Sequence, residues 1–249
     1  MDLADRNIIV TGGAKGIGRT IVSSLLNERA QVGVFDLDGA GLATLQRDGV
    51  GARCILCDVA DPRAVTSAVD RFYKDVGEIH ALINNAGIIF STPLVSFTPQ
   101  GVVSHDVTMW DKVIATDLSS VFYMTRCVAE KMIVKRTRGV IVNVSSVCAA
   151  GNAGQSAYSA AKAGVNALTV TWAKELGLLG IRVVGIAPGF TDTESTRSAL
   201  ASEVLQSTIQ RVPLRRLGKP EEIALCVLSA LQNDFITGTT IEIDGGLKP

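Results

Sequence analysis

The 249-residue sequence predicts one α/β domain, a doubly wound parallel sheet with helices on both faces. Three observations carry this expectation. Short apolar runs alternate with amphipathic stretches of helical spacing along the chain. A glycine-rich turn joins the first run to the first helical stretch. No repeat, low-complexity tract or linker divides the chain, so residues 1–249 read as a single domain.

The first strand is 7–10, Asn-Ile-Ile-Val. In 18–28, Ile21, Val22, Leu25 and Leu26 form one stripe, as on a helix packed against a sheet. A second strand is 31–35, and Cys54-Ile55-Leu56-Cys57 reads as a third, with small buried thiols. Residues 61–76 open with Asp-Pro, a helix-starting pair, and continue with Val65, Ala68, Val69 and Phe72. A strand at 81–83 ends in Asn84-Asn85-Ala86-Gly87. Two long helices, 108–132 and 155–178, flank a β-branched strand at 139–144. Strands at 181–186 and 240–243 complete the set. The alternation implies parallel βαβ units with right-handed crossovers.

Composition narrows the function. Lys plus Arg and Asp plus Glu both number 24, so the net charge is zero and a nucleic-acid partner is not expected. No apolar run approaches the roughly 18 residues of a membrane span, so no membrane partner is expected either. The first residues lack the basic-then-apolar order of a signal peptide, which makes the cytoplasm the expected compartment. Five cysteines, an odd count, are expected as free thiols. The C-x-x-C at 54–57 has no second pair, and His80 and His105 lack ligand spacing, so no metal site is expected.

Chemistry first shows in Thr11-Gly12-Gly13-Ala14-Lys15-Gly16-Ile17-Gly18. Gly12 allows the tight turn, Gly16 lets backbone approach a pyrophosphate, and Gly18 lets helix and strand pack closely. The helix N-terminus offers free N–H groups to phosphates. Asp36 ends the second strand, where a carboxylate can take both hydroxyls of an adenosine ribose and repel a 2′-phosphate. That favours NAD over NADP. Lys15 argues mildly the other way, as a cation able to accept that phosphate.

Tyr158-Ser159-Ala160-Ala161-Lys162 lies in a helical window, and i, i+4 spacing puts the phenol and the ammonium on one face. A free tyrosine, with a pKa of about 10, is a poor base at neutral pH. A neighbouring lysine cation favours the phenolate, so the expectation is a lowered Tyr158 pKa and proton exchange with a substrate hydroxyl or carbonyl.

These motifs do not stand alone. The glycine loop, Asn84-Asn85-Ala86-Gly87, Val144-Ser145-Ser146, Tyr158 with Lys162, and Pro188-Gly189 occur in one order, followed by Phe235-Ile236-Thr237-Gly238 and Asp244-Gly245-Gly246. Over nearly its whole length the chain resembles the short-chain dehydrogenase/reductase family, whose fold is of Rossmann type. The resemblance implies that Gly12, Lys15, Gly16, Ile17 and Gly18 surround the pyrophosphate, and that Asp36 and Leu37 hold the adenosine ribose. Asp58 and Val59 match the adenine contact, with Asp58 on the amino group. Asn85, Ala86 and Gly87 would line the cofactor. Tyr158 would be the acid/base, and Lys162 would hold the nicotinamide ribose and tune Tyr158. Pro188, Gly189, Thr191 and Thr193 match the segment that holds the carboxamide.

Two positions depart from the family. Its substrate-polarising serine usually stands 13 positions before the tyrosine, which is the spacing of Ser145. Strand register instead favours Ser146, with a shortened loop before Tyr158. Ser146 is the preferred reading and Ser145 stays open. The second departure is Asp117, where the family usually has an asparagine whose carbonyl holds a water in the proton path. An ionised Asp117 near Lys162 would oppose phenolate formation, so its side chain is expected to be either neutral through burial or turned away.

The segment 88–109 is about eight residues longer than is usual at this place, and reads as substrate mouth, surface loop or subunit contact. Residues 191–211 resemble the family's substrate lid, with Leu200, Val204, Leu205 and Ile209 at helical spacing. The reading that results is an NAD(H)-preferring oxidoreductase that interconverts a small-molecule secondary alcohol and a ketone. An NADPH-dependent 3-oxoacyl-thioester reductase is the alternative, suggested by 151–158 and opposed by Asp36. A non-catalytic dinucleotide-sensing regulator is the alternative of another class; the serine, tyrosine and lysine together argue against it. The resemblance further implies a homotetramer built on the two long helices.

Overall fold

The computed structural model describes residues 1–49, 51–199 and 202–247. Its main sheet has seven parallel strands: β1 (Asn7–Thr11), β2 (Gln31–Asp36), β3 (Arg53–Leu56), β4 (Ala81–Asn84), β7 (Val140–Val144), β8 (Arg182–Pro188) and β9 (Thr240–Ile243). The spatial order is β3-β2-β1-β4-β7-β8-β9. The chain reverses direction across the sheet between β1 and β4, and such a switch point opens a crevice at the carboxyl ends of the strands.

Both faces of the sheet are covered, which is why its inner strands are apolar at nearly every position. In β1, Ile8 and Val10 face one side and Ile9 the other. The first side packs on α1 (Gly16–Asn27), α2 (Gly39–Arg47) and α9 (Pro220–Gln232), through Ile21, Leu25, Leu42, Val227 and Leu231. The second packs on α3 (Pro62–Val76), α5 (Ser120–Lys135) and α6 (Ser156–Leu176), through Val69, Phe72, Val128 and Val165. Local signals set the helix ends. Asp61 caps α3 by accepting the Arg63 N–H at 2.8 Å, Pro62 fills its first turn, and Gly77 ends it at φ 74°.

Two regions differ from the expectation. The long helix expected over 108–132 is broken into α4 (Val107–Ile114), a π turn (Ala115–Ser119) and α5. In that turn the Ser120 N–H reaches back five residues to the Ala115 carbonyl. The 88–109 segment folds into an antiparallel ribbon, β5 (Val95–Thr98) with β6 (Gly101–Ser104), separate from the main sheet. No helix among the described residues is long and apolar enough to cross a membrane.

Candidate active site

A cleft of about 670 Å³ runs along the carboxyl ends of β1, β2, β4, β7 and β8. Every site residue singled out in the sequence lines it, from Asp36 and Asp58 at one end to Ser146, Tyr158 and Lys162 at the other. Among the described residues no cluster of His, Cys, Asp and Glu is built to hold a metal.

The glycine loop has left-handed backbone at Gly12 (φ 65°) and Gly16 (φ 57°). Gly18 meets a different constraint, because an ideal β-carbon there would lie 2.0 Å from the Gly12 carbonyl oxygen. Thr11 and Asn85 lock the loop to the end of β4. The Thr11 hydroxyl accepts the N–H groups of Asn85 (3.0 Å) and Ala86 (3.1 Å), and the Asn85 amide donates to the carbonyls of Thr11 (3.1 Å) and Gly12 (3.0 Å). No side chain caps the N-terminus of α1, so its first N–H groups remain available to an anion.

At the β2 end of the cleft, one Asp36 oxygen accepts the Ala14 N–H and the other the Asp38 N–H, each at 2.9 Å. The carboxylate is thus oriented by backbone from the glycine loop and from the start of α2, and each oxygen keeps acceptor capacity. Lys15 points into solvent, 3.9 Å from the Asp38 carboxylate, an acid the sequence reading passed over. Leu37 is exposed, and the exposed Asp58 accepts the Ala60 N–H at 2.9 Å. At the other end Pro188 and Gly189 close β8. The Thr191 hydroxyl donates to the Gly189 carbonyl at 3.2 Å, and Thr193 bonds Thr196 at 3.0 Å.

The two serines separate cleanly. The Ser145 hydroxyl donates to the main-chain carbonyl of Lys162 at 3.2 Å and so ties β7 to α6. The Ser146 hydroxyl accepts the Cys148 N–H at 3.1 Å, and it lines the cleft with Tyr158, whose ionised form it favours. Lys162 is buried; its ammonium donates to the Val144 carbonyl at 3.1 Å and stands 5.5 Å from the centre of the Tyr158 ring. Asp117, on the π turn, is not turned away. One of its oxygens accepts the Ile88 N–H at 2.8 Å, and the other faces the Lys162 ammonium at 3.4 Å.

The lowered Tyr158 pKa expected from i, i+4 spacing is overturned. Burial pushes the phenol above the ordinary tyrosine range, Asp117 pushes it further, and Ser146 only partly opposes them. The ammonium that was to favour the phenolate shares its field with a carboxylate. Asp117 is itself raised by burial, against the pull of Lys162 and the Ile88 N–H.

A buried polar network under the site was missed. The Asn84 amide donates to Thr125 (3.0 Å) and Asn143 (2.9 Å), and the Asn143 amide donates to Thr169 (3.0 Å). Ile88, Ile89, Cys148, Gln155 and Phe190 also line the cleft. Of the long 88–109 segment only its first residues do so. The ribbon projects away with Phe97 89% exposed, while Ser91 and Thr92 at its base bond Gln155 (3.0 Å) and Gly154 (2.7 Å). In the expected lid, Leu205 and Ile209 of α8 (Ser202–Arg211) are half-buried, and Leu200 lies outside the described residues.

Residues 12–248 match the family described as enoyl-(acyl carrier protein) reductase. The chain is 37% identical over 254 residues to a 3-oxoacyl-[acyl-carrier-protein] reductase of Thermotoga maritima, with 99% of both chains covered. It is 36% identical over 263 residues to sorbitol-6-phosphate 2-dehydrogenase of Klebsiella pneumoniae, covering 99% of this chain and 97% of that protein. A 3-oxoacyl-[acyl-carrier-protein] reductase of Escherichia coli is 33% identical over 250 residues, with 99% of both chains covered.

Proposed function

Because the chain belongs to the short-chain dehydrogenase/reductase family, oxidoreductases acting on CH–OH groups, we propose that it interconverts a secondary alcohol and a ketone with NAD(H) as preferred cofactor. The observation that carries this reading is the meeting of Ser146, Tyr158 and Lys162 at one end of a cleft whose other end holds Asp36. One domain serves both cofactor and chemistry.

The residues present fit a dinucleotide. The uncapped N-terminus of α1 and the left-handed Gly12 and Gly16 suit a pyrophosphate. A β-carbon at Gly16 would find only Thr193, at 3.9 Å, so backbone there opens onto the cleft. Asp36 would take the ribose hydroxyls, Asp58 and Val59 the adenine, and Thr191 and Thr193 the carboxamide. The preference for NAD rests on the Asp36 charge, which a 2′-phosphate would meet at close range. When bound, the nicotinamide supplies hydride transfer. Ser146 donates a hydrogen bond to the carbonyl oxygen, and Tyr158 passes the proton to it or takes it back. Lys162 would hold the nicotinamide ribose.

A second reading, reduction of a 3-oxoacyl thioester, is favoured by 3-oxoacyl-[acyl-carrier-protein] reductases among the relatives. The assembly we propose is a homotetramer through α5 and α6, where Phe122, Val134 and Val170 leave apolar surface outside the core. The test of function follows reduced-nicotinamide absorbance with NAD and a panel of secondary alcohols, and with NADH or NADPH and ketones or 3-oxoacyl thioesters. Turnover of simple alcohols and ketones with NAD(H) is expected. Turnover confined to 3-oxoacyl thioesters with NADPH favours the second reading, and no turnover with any pair overturns both.

A further inference from the structure

Asp117 is a fully enclosed carboxylate with one oxygen unsatisfied. Its Oδ1 accepts the Ile88 N–H at 2.8 Å. Its Oδ2 has no aligned hydrogen bond and faces the Lys162 ammonium at 3.4 Å. The wall beside them is made without a side chain. A β-carbon on Gly87 would lie 2.7 Å from Oδ2 and 3.4 Å from Nζ, so glycine there makes room for the pair. A buried carboxylate of this kind is costly unless a charge answers it, and Lys162 is that charge.

The arrangement alters what Lys162 does to its neighbour. A lone ammonium 5.5 Å from the Tyr158 ring would favour the phenolate. Paired with a carboxylate, it presents the phenol with little net charge. The other titratable or charged groups acting on Tyr158 are few. Asp117 comes from the π turn and Cys148 from the turn after β7, and both oppose ionisation, while Ser146 favours it. Asp117 in turn is faced by Lys162 of α6 and by the Ile88 N–H.

We propose that Asp117 is a positioning residue that balances the Lys162 charge, so that Tyr158 rests as a phenol and the site is set to give a proton to a carbonyl before it is set to take one from an alcohol. This rests on the reading of Tyr158 as the acid/base. In reduction the carbonyl carbon would gain the hydride that a reduced nicotinamide supplies, leaving the nicotinamide oxidised, while its oxygen gains the Tyr158 proton, and the phenolate is then reprotonated from solvent. In oxidation the phenol must first lose its proton, so that direction gains with rising pH.

The experiment compares the pH dependence of kcat/KM for alcohol oxidation in the wild type and in Asp117→Asn. The rising limb is expected to move toward acid by about one pH unit or more in the variant, as loss of a nearby like charge does for a titrating group. An active, folded variant with an unmoved limb overturns the proposal. Absence of hydride transfer in the wild type instead strikes the functional reading. The phenol is then titrated directly by NMR of ring-labelled tyrosine, with Tyr158→Phe assigning one of only three tyrosine signals. There the same acid shift in Asp117→Asn supports charge balancing and no shift overturns it. If Asp117→Asn does not fold, Asp117→Ser carries the comparison.

Discussion

Gly18 and Gly12 approach so closely that an ideally placed β-carbon on Gly18 would sit 2.0 Å from the Gly12 carbonyl oxygen and 2.6 Å from the Asn85 amide nitrogen. The contact is backbone against backbone, so no rotamer change relieves it. Gly18→Ala is expected to displace the loop, lower stability by about 1–3 kcal/mol and weaken NADH binding at least tenfold. Denaturant unfolding and NADH fluorescence titration measure the two effects.

The Asp36 carboxylate does two things: it accepts the Ala14 and Asp38 N–H groups, and it places negative charge at the β2 end of the cleft. Asp36→Asn removes the charge and keeps one acceptor. The ratio of kcat/KM for NAD over NADP is expected to fall by about tenfold or more, at the Coulomb strength of one charge at close range. Steady-state kinetics with both cofactors checks it. An unchanged ratio would remove the argument for NAD.

Stability should depend on pH through His80. Its Nδ1 accepts the Asn7 N–H at 3.1 Å at the start of β1, and burial lowers its pKa, with Glu78 opposing. The folded state therefore takes up this proton less readily than the unfolded chain. The associated stability is complete above the ordinary histidine range, near 6.5, and is lost as pH falls from there toward the lower folded value. The loss is about 1.4 kcal/mol for each unit separating the two pKa values. In His80→Asn, whose side-chain oxygen can accept the same bond, urea midpoints between pH 6.5 and 5 should change less than in the wild type.

Much of the architecture could be read from residues because parallel strands buried on both faces announce themselves as apolar runs, as in Ile8-Ile9-Val10. The site was legible where chemistry follows from local spacing: glycines in one turn, and Tyr158 and Lys162 one helical turn apart. What escaped depends on contacts between distant segments. Nothing in Ala115-Thr116-Asp117-Leu118-Ser119 distinguishes a π turn from ordinary helix, so the inward course of Asp117 was hidden. The sign of the Tyr158 shift was missed for the same reason. Helical spacing pairs Lys162 with Tyr158, but the other partners of the ammonium, Val144 and Asp117, come from β7 and the π turn. Ser145 and Ser146 look alike in the sequence because their surroundings depend on the turn after β7, where one hydroxyl donates to the Lys162 carbonyl and the other accepts the Cys148 N–H. Asn143 reads as an anomaly in an apolar strand until Asn84 and Thr169 are seen beside it.

The most direct measurement is turnover of Tyr158→Phe alongside its affinity for NADH. The variant lacks one oxygen, and the glycine loop and Asp36 are untouched. A positioned general acid contributes about 10²- to 10⁴-fold, so kcat should fall by at least that range while NADH binding stays within a few-fold of the wild type. A Tyr158→Phe enzyme that keeps its kcat contradicts the account, because the proton is then transferred without the phenol.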